Sequence, residues 1–193
     1  MYTIQNQNSY ELEIKKSKFI SKIFKVYDIE EANNILSHLK TEYNDATHQC
    51  YAYIINDHKK SSDDGEPSGT AGTPILQVLE KNNLNYALCV VIRYFGGIKL
   101  GAGGLVRAYT KAASNVINAS DIVELISGYE VNIIVDYENQ KNLESIIKNT
   151  IYDKSFDEKV TYRIQCDKDT LDTIKSHNIQ YTITKELYIQ KKN

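Results

Sequence analysis

The 193-residue chain has no tryptophan, one methionine, two prolines and nine glycines. Eight of the nine glycines and both prolines fall between Gly65 and Gly104, so that the rest of the chain, apart from Gly128, contains neither residue. Glycine permits positive φ and close approach of other groups, but ordering it costs conformational entropy. A chain that concentrates its glycine in one region is building backbone-lined loops there, and we expect a functional site in that region.

Other absences exclude whole classes of protein. No apolar run approaches the roughly 18 residues of a membrane-spanning helix, and residues 1–25 carry charges throughout, which predicts neither a membrane span nor a signal peptide. The three cysteines, Cys50, Cys89 and Cys166, have no CxxC or zinc-ligand spacing, which predicts a cytoplasmic location and no bound metal. The net charge of −2 argues against general polyanion binding, so any nucleic-acid contact requires a local patch.

Periodicity in the first part of the chain predicts mixed strands and helices. Alternating apolar residues indicate strands at 10–14, 19–26 and 50–56, and an element of undecided type follows at 74–79. The β-branched run at 88–94 indicates a central strand covered on both faces. Asp28, with Glu31 three residues later, predicts a helix N-cap before the apolar residues of 29–39. Residues 105–117 carry a broad apolar face and predict a second helix.

The pattern changes around residues 121–128. Beyond them we expect a strand, a helix, two strands, a helix and a strand at 130–136, 139–149, 155–157, 160–166, 170–177 and 181–189. This order is that of the split βαβ, ferredoxin-like fold. We therefore predict an α+β protein with two domains, 1–125 and 129–193, the first being one sheet with helices on one face.

The segment RYFGGIKLGAGGLVRAY, residues 93–109, leads from a buried strand through two glycine turns into a helix. The first N–H groups of a helix lack internal acceptors, and the helix dipole favours an anion there. The spacing is neither that of a P-loop nor that of a dinucleotide fingerprint. Two interpretations stay open, an anion site or a tight turn whose glycines serve only packing. The candidate anion-binding residues are Arg93, Gly96, Gly97, Lys99, Gly101, Gly103, Gly104 and Arg107.

The segment SSDDGEPSGTAGTP, residues 61–74, is acidic. Asp63, Asp64 and Glu66 offer oxygen ligands of the kind that Mg²⁺ prefers, and His48 is the candidate titrating group nearby. The alternative is a solvated or partner-binding loop. No serine, threonine or cysteine has an evident base, so we expect no covalent nucleophile. Candidate stacking surfaces for nucleic-acid bases are Tyr51, Tyr53, Tyr94, Phe95 and Tyr109.

Three strings resemble the YigZ/IMPACT family: DATHQCYAY at 45–53, DDGEPSGTAGTPIL at 63–76 and VVIRYFGGIKLGAGGLVRAYT at 90–110. The resemblance implies an N-terminal left-handed βαβ fold similar to a small-subunit ribosomal protein, domain IV of elongation factor G and GHMP-type kinases. Bacterial members of this family carry a second, ferredoxin-like domain similar to the last domain of elongation factor G. The resemblance is therefore collinear with the whole chain.

The resemblance also implies a link to translation. Eukaryotic members bind the activator of the amino-acid-starvation kinase, but that partnership depends on an extra N-terminal domain that is not in this sequence. The leading hypothesis is a translation-associated regulator without enzymatic activity that binds RNA or the ribosome, or a protein of the translation machinery, through the glycine-rich basic segment. The alternatives are a phosphate-handling enzyme with Mg²⁺ at the acidic segment and a protein–protein adaptor. An enzyme requires a closed pocket, whereas a binding module requires an open basic surface.

Overall fold

The computed structural model describes residues 1–147 and 151–191. The chain forms two compact units that divide after Val123, and both mix helices with strands, which confirms the α+β class. The first unit contains β1 (Tyr2–Ile4), β2 (Asn8–Ile14), β3 (Ser17–Lys25), α1 (Ile29–Glu42), β4 (His48–Ile55), β5 (His58–Ser62), α2 (Gly72–Lys81), β6 (Ala87–Tyr94) and α3 (Ala102–Asn118). The remaining elements are β7 (Ile122–Val135), a 3₁₀ turn (Tyr137–Asn139), α4 (Gln140–Ile147), β8 (Ile151–Phe156), β9 (Val160–Cys166), α5 (Lys168–Ser176) and β10 (Tyr181–Gln190).

The first unit is built on one antiparallel sheet with the order β2-β3-β6-β4-β5. Strand β6 lies at its centre, and its apolar run is buried on both faces, as the sequence predicts. Helices α2 and α3 cover one face, where Cys89 and Val91 point. Helix α1 covers the other, where Leu88 and Val90 point. The expectation of helices on one face is therefore wrong, because a strand with two apolar faces needs cover on both.

Helix α1 begins where the sequence predicts. The Asp28 side chain accepts a hydrogen bond from the Glu31 backbone N–H at 2.8 Å, and the Glu31 carboxylate accepts one from the Tyr27 N–H at 2.8 Å. These two bonds satisfy donors that the helix itself leaves free. The undecided element at 74–79 is helix α2, and the short strands β1 and β5 were not predicted.

The predicted junction at 125–129 is not a linker, because β7 runs through it without a break. Gly128 is a strand residue, and a Cβ added to it would lie 2.8 Å from Ile189 Cγ1 on the paired strand β10. The only glycine of this part of the chain therefore serves close packing between strands and does not form a turn.

The second unit has the antiparallel strand order β10-β7-β9-β8. Helices α4 and α5 pack on one face of this sheet through Leu143 and Ile174, against Val131 and Ile164. Of the helix expected at 139–149, residues 148 and 149 lie outside the described residues. Within the described ranges, no helix is both long enough and apolar enough to cross a membrane.

Gly72→Ala tests the close approach of α2 to β5. An added Cβ would lie 2.7 Å from backbone atoms of Ser62, so that backbone must move. We expect the free energy of unfolding to fall by about 1–3 kcal/mol, the usual cost of overpacking. Gly103→Ala is the control, because its Cβ would meet only Arg107 Nη1 at 3.6 Å. Equal urea midpoints for the two variants would contradict this account.

Candidate functional site

A buried ion pair joins the two glycine-rich segments. Glu66 Oε1 lies 2.6 Å from Arg93 Nη1, and the two side chains are only 3% and 6% exposed. The same carboxylate oxygen accepts a hydrogen bond of 2.7 Å from the Tyr109 hydroxyl. Charged side chains are rarely buried unless they are paired, so these contacts hold the acidic segment, the end of β6 and helix α3 in one arrangement.

Aromatic rings and a serine complete the surroundings of Arg93. Its Nη2 donates to Ser17 Oγ at 3.3 Å, and its Cζ lies 5.5 Å from the ring centroids of both Phe19 and Phe95. The Ser17 hydroxyl in turn accepts from the Gly96 N–H at 3.2 Å. Arg93, predicted to be an anion-binding residue, is thus buried, and the anion that it contacts is the carboxylate of Glu66. Its charge is already neutralised by Glu66.

His48 lies on the other side of Glu66. Its Nδ1 is 2.8 Å from the Asp64 carbonyl oxygen, and because a carbonyl only accepts, this contact places the hydrogen on Nδ1. The Nε2 atom then faces Glu66 Oε2 at 3.8 Å. His48, the candidate titrating group, therefore lies beside two residues of the acidic segment, Asp64 and Glu66.

The two aspartates of the acidic segment have separate partners. The Asp63 carboxylate accepts from the N–H groups of Gly69, Ala71 and Gly72 at 2.8–2.9 Å. Asp64 accepts from the Gln49 N–H at 2.6 Å and pairs with Lys40 at 3.2 Å. Among the described residues no group of three or more His, Cys, Asp or Glu is placed to hold a metal ion. The acidic segment therefore shapes the fold and does not present the cation cage considered from the sequence.

Cys50 and Tyr109 are the buried uncharged members of this cluster. Cys50 Sγ lies 3.4 Å from the Tyr109 hydroxyl and 3.0 Å from the Asp63 carbonyl oxygen. Burial raises the pKa of Cys50 to about 12, and the nearby carboxylates of Glu66, Asp64 and Asp63 add to the shift. Burial also raises the pKa of Tyr109 far above its usual value. At neutral pH the thiol stays protonated and is a poor nucleophile.

The glycines of the basic segment, residues 93–109, fall into two groups: some serve close packing, and others leave open space beside the backbone. A Cβ on Gly96 would lie only 1.9 Å from the Lys16 carbonyl oxygen, so Gly96 serves packing. Gly97 and Gly101 have φ of +82° and +71°, and a Cβ on either would meet no atom of the described chain within 4 Å. These two glycines make the turns and leave open space beside them. Gly103 is exposed in the first turn of α3, and Gly104 packs on Leu100.

Lys99 and Arg107 lie on the surface, as the sequence predicts for charged residues of an open face. Helix α3 begins after Gly101, which has no side chain to cap the free N–H groups, and its first turn contains no acidic residue. Among the candidate stacking residues, Tyr53 and Tyr109 are buried in the core, whereas the Phe95 side chain is exposed. The open basic surface and the buried carboxylate cluster are therefore two distinct features.

Sequence reasoning missed the role of Tyr109 and Ser17 and the pairing of Glu66 with Arg93. One signal for the pair was present, because an arginine at the end of a run of buried apolar residues needs a counter-charge. The partner was not identifiable from spacing, since Glu66 is 27 residues away. Only the folding of the acidic segment against the end of β6 brings the two groups into contact.

The first unit thus combines an antiparallel sheet with two glycine-rich segments that a buried ion pair joins. Residues 15–117 match the model of the Impact N-terminal domain. The chain is 48% identical over 126 residues to the IMPACT family member YvyE of Bacillus subtilis, which covers 64% of this chain and 58% of that protein. It is 34% identical over 140 residues to YigZ of Escherichia coli, covering 70% and 69%. The chain belongs to the IMPACT family.

Two further comparisons extend beyond that domain. An IMPACT family member of Thermus thermophilus is 37% identical over 136 residues, covering 70% of this chain and 74% of that protein. The crystal structure of a hypothetical protein aligns with 95% of this chain and 97% of its own, with a TM-score of 0.68 and 26% identity. The likeness in structure therefore spans both units, whereas the family model matches the first.

Glu66→Ala tests the buried pair. It leaves the Arg93 guanidinium buried without its counter-charge, and we expect the free energy of unfolding to fall by about 3–5 kcal/mol. Glu80→Ala is the matched control, because Glu80 pairs with Lys59 at 2.8 Å on the surface and its removal should cost about 0–1 kcal/mol. If chemical denaturation shows the same decrease in the free energy of unfolding for both variants, the buried pair contributes no more to stability than a surface pair.

The lowered pKa of the Asp63 carboxyl predicts that the stability of the fold depends on pH. Burial acts to raise the pKa of this carboxyl, but the hydrogen bonds from Gly69, Gly72 and Ala71 outweigh it and hold the pKa below the ordinary value of 3.8. The ionised carboxylate therefore stabilises the fold above pH 3.8, and this contribution disappears as the pH falls through the lowered pKa.

We accordingly expect Asp63→Asn to be less stable than wild type near neutral pH, with a difference that shrinks in acid. Thermal unfolding across this pH range measures the difference. Asp57→Asn, in the exposed turn between β4 and β5, is the control and should track wild type throughout. A difference between Asp63→Asn and wild type that stays constant down to low pH would contradict the assignment.

Proposed function

We propose that this protein is a translation-associated regulator that binds RNA, free or within the ribosome, through its basic loop face. The basic loop face consists of loop residues 95–101 and the first turns of α3, residues 102–107. The observation that carries the proposal is the charge of this surface. Lys99 and Arg107 are exposed there beside open glycine backbone, and neither has an ion-pair partner among the described residues.

The charge distribution along the chain supports an anionic partner. The protein has 25 acidic residues, yet none of them lies between Lys81 and Ser120. The loop and helix that build the face, and strand β6 before them, therefore contain positive charges only. A surface that carries one sign of charge raises the local concentration of oppositely charged ligands and speeds their association. The net charge of −2 then reflects acidic residues elsewhere in the chain.

The position of Arg107 supports the same conclusion. Its Nη1 lies 3.6 Å from the point where a Cβ of Gly103 would sit, so the guanidinium folds back toward the start of α3. A helix N-terminus already carries partial positive charge, and a cation placed there is unfavourable. A phosphate group bound to the free N–H groups and to the guanidinium would remove that cost.

The phosphate-handling enzyme has less support. It needs Mg²⁺ held by the acidic segment, but the carboxylates of that segment accept backbone hydrogen bonds or pair with Lys40 and Arg93. The resemblance to a family with a link to translation favours RNA as the source of the phosphates. The function of the whole protein is proposed on this combined basis.

We also infer the fold type of each unit, from the strand order and from the family resemblance. The strand order β10-β7-β9-β8, with every pair antiparallel, supports a ferredoxin-like βαββαβ fold for the second unit. The family resemblance supports a left-handed βαβ fold for the first unit. The division after Val123 supports a domain boundary at the start of β7, close to the limits of 125 and 129 expected from the sequence.

Lys99→Ala tests the proposed function. Loss of one phosphate contact should lower the slope of log affinity against log salt concentration by about one. Fluorescence anisotropy with a structured RNA, at several salt concentrations, measures this slope. Lys141→Ala is the control, because it removes the same charge from an exposed position on α4 of the other unit. Identical binding of the two variants, or no salt-dependent binding by wild type, would overturn the proposal.

A further inference from the structure

Phe95 is an aromatic ring that the fold supports on one side and exposes on the other. Its side chain is 46% exposed, although it directly follows a strand whose residues are almost all buried. The guanidinium carbon of Arg93 lies 5.5 Å from its ring centroid. Arg93 is itself immobilised by Glu66 and Ser17, so one side of the ring rests on a rigid cation.

The backbone of Phe95 is fixed as well. Its N–H donates to Thr47 Oγ1 at 2.9 Å, and the next residue, Gly96, packs directly on the backbone of Lys16. A ring held in this way loses little conformational freedom on contact with a ligand. Burial of its exposed part would therefore contribute fully to binding.

The chain segment that follows Phe95 contains further exposed residues that are apolar or cationic. Ile98 and Val106, both in the basic loop face, are also exposed large apolar side chains. Lys99 is four residues from Phe95, which limits the distance between their Cα atoms to about 14 Å. On α3, Arg107 and Lys111 are both exposed and one turn apart, about 6 Å along the helix axis. An apolar platform thus lies within a short stretch of chain that carries several cations.

Charge and chemistry together point to one kind of ligand. A ligand that is only a polyanion would interact with the cations and not with the Phe95 ring. An apolar peptide would interact with the ring and not with the cations. Single-stranded nucleic acid presents both a charged backbone and unpaired bases with apolar faces, and proteins bind it by combining a basic groove with stacking on aromatic side chains. In a duplex the base faces are covered, and Phe95 would have no partner.

We propose that the basic loop face binds single-stranded RNA, with an unpaired base stacked on the exposed face of Phe95 and the flanking phosphates bound by Lys99 and Arg107 of the face and by Lys111, one turn beyond it on α3. This proposal rests on the proposed function and narrows it to one form of RNA. Phe95 supplies the preference for single strands, and the cations supply affinity that does not depend on sequence.

Phe95→Leu in the full chain tests the proposal, because leucine keeps an apolar side chain and removes the ring. The probes are a short single-stranded RNA of mixed sequence, the same strand in a duplex, and the same strand with abasic sites. We expect wild type to prefer the intact single strand, and Phe95→Leu to bind it about five-fold or more weakly, as for the loss of one stacked base. The salt dependence of binding should stay unchanged in this variant.

Two other variants control for the ring and for its position. Phe95→Tyr keeps an aromatic ring and should bind as wild type does. Phe156→Leu removes a ring that is 61% exposed and lies 4.7 Å from Lys154 Nζ in the second unit, and it should also bind as wild type does. The chain has no tryptophan, so a fluorescent base in the RNA reports stacking without interference, and its quenching should be lost only in Phe95→Leu.

The results separate this proposal from the proposed function. Equal binding of wild type to intact and abasic strands, or a preference for the duplex, would overturn the stacking proposal without any variant. If Lys99→Ala still lowers the salt slope in that case, RNA binding through the basic loop face stands and only the stacking is wrong. If wild type binds none of the RNA probes, both proposals fail, and a protein partner becomes the occupant to test.

Discussion

The buried ion pair between Glu66 and Arg93 is the interaction on which the rest of the first unit depends. Desolvation of two charges is costly, and the pair is stable only because Tyr109 and Ser17 supply further hydrogen bonds to it. These four residues come from the acidic segment, β6, α3 and β3. A displacement of the acidic segment or of β6 would leave a buried charge without its counter-charge, and a displacement of α3 or β3 would remove a hydrogen bond to the pair. These contacts therefore fix the relative positions of these elements.

The same interaction explains how the acidic and basic segments pack against each other. Glu66 pairs with Arg93, and the Asp63 carboxylate accepts hydrogen bonds from N–H groups at the start of α2. Asp64 accepts a hydrogen bond from the Gln49 N–H and pairs with Lys40. Lys99 in the loop after β6 and Arg107 in α3 are not among these partners and are exposed. Arg93 of the ion pair also contacts one side of the Phe95 ring, so a buried interaction supports an exposed aromatic side chain.

Local patterns predicted most helices and strands because they depend on neighbouring residues. The Asp28 cap, the apolar run of β6 and the apolar face of α3 each need only a few consecutive side chains. Strand β5, with the sequence HKKSS, carries no apolar alternation and exists because its backbone pairs with β4. The change of pattern around 121–128 does not reveal that Gly128 lies within a strand, because this depends on the pairing of β7 with the distant strand β10.

The sequence by itself determined the α+β class, the concentration of glycine in two segments and the exposure of Lys99 and Arg107. The positions of the glycines and of the charged residues are fixed by the sequence and do not depend on the fold. Only the tertiary structure decided that Arg93 is a buried partner of Glu66 and that Phe95, two residues later, is open to solvent. Burial depends on which distant segments meet at a side chain, and spacing along the chain does not contain that information.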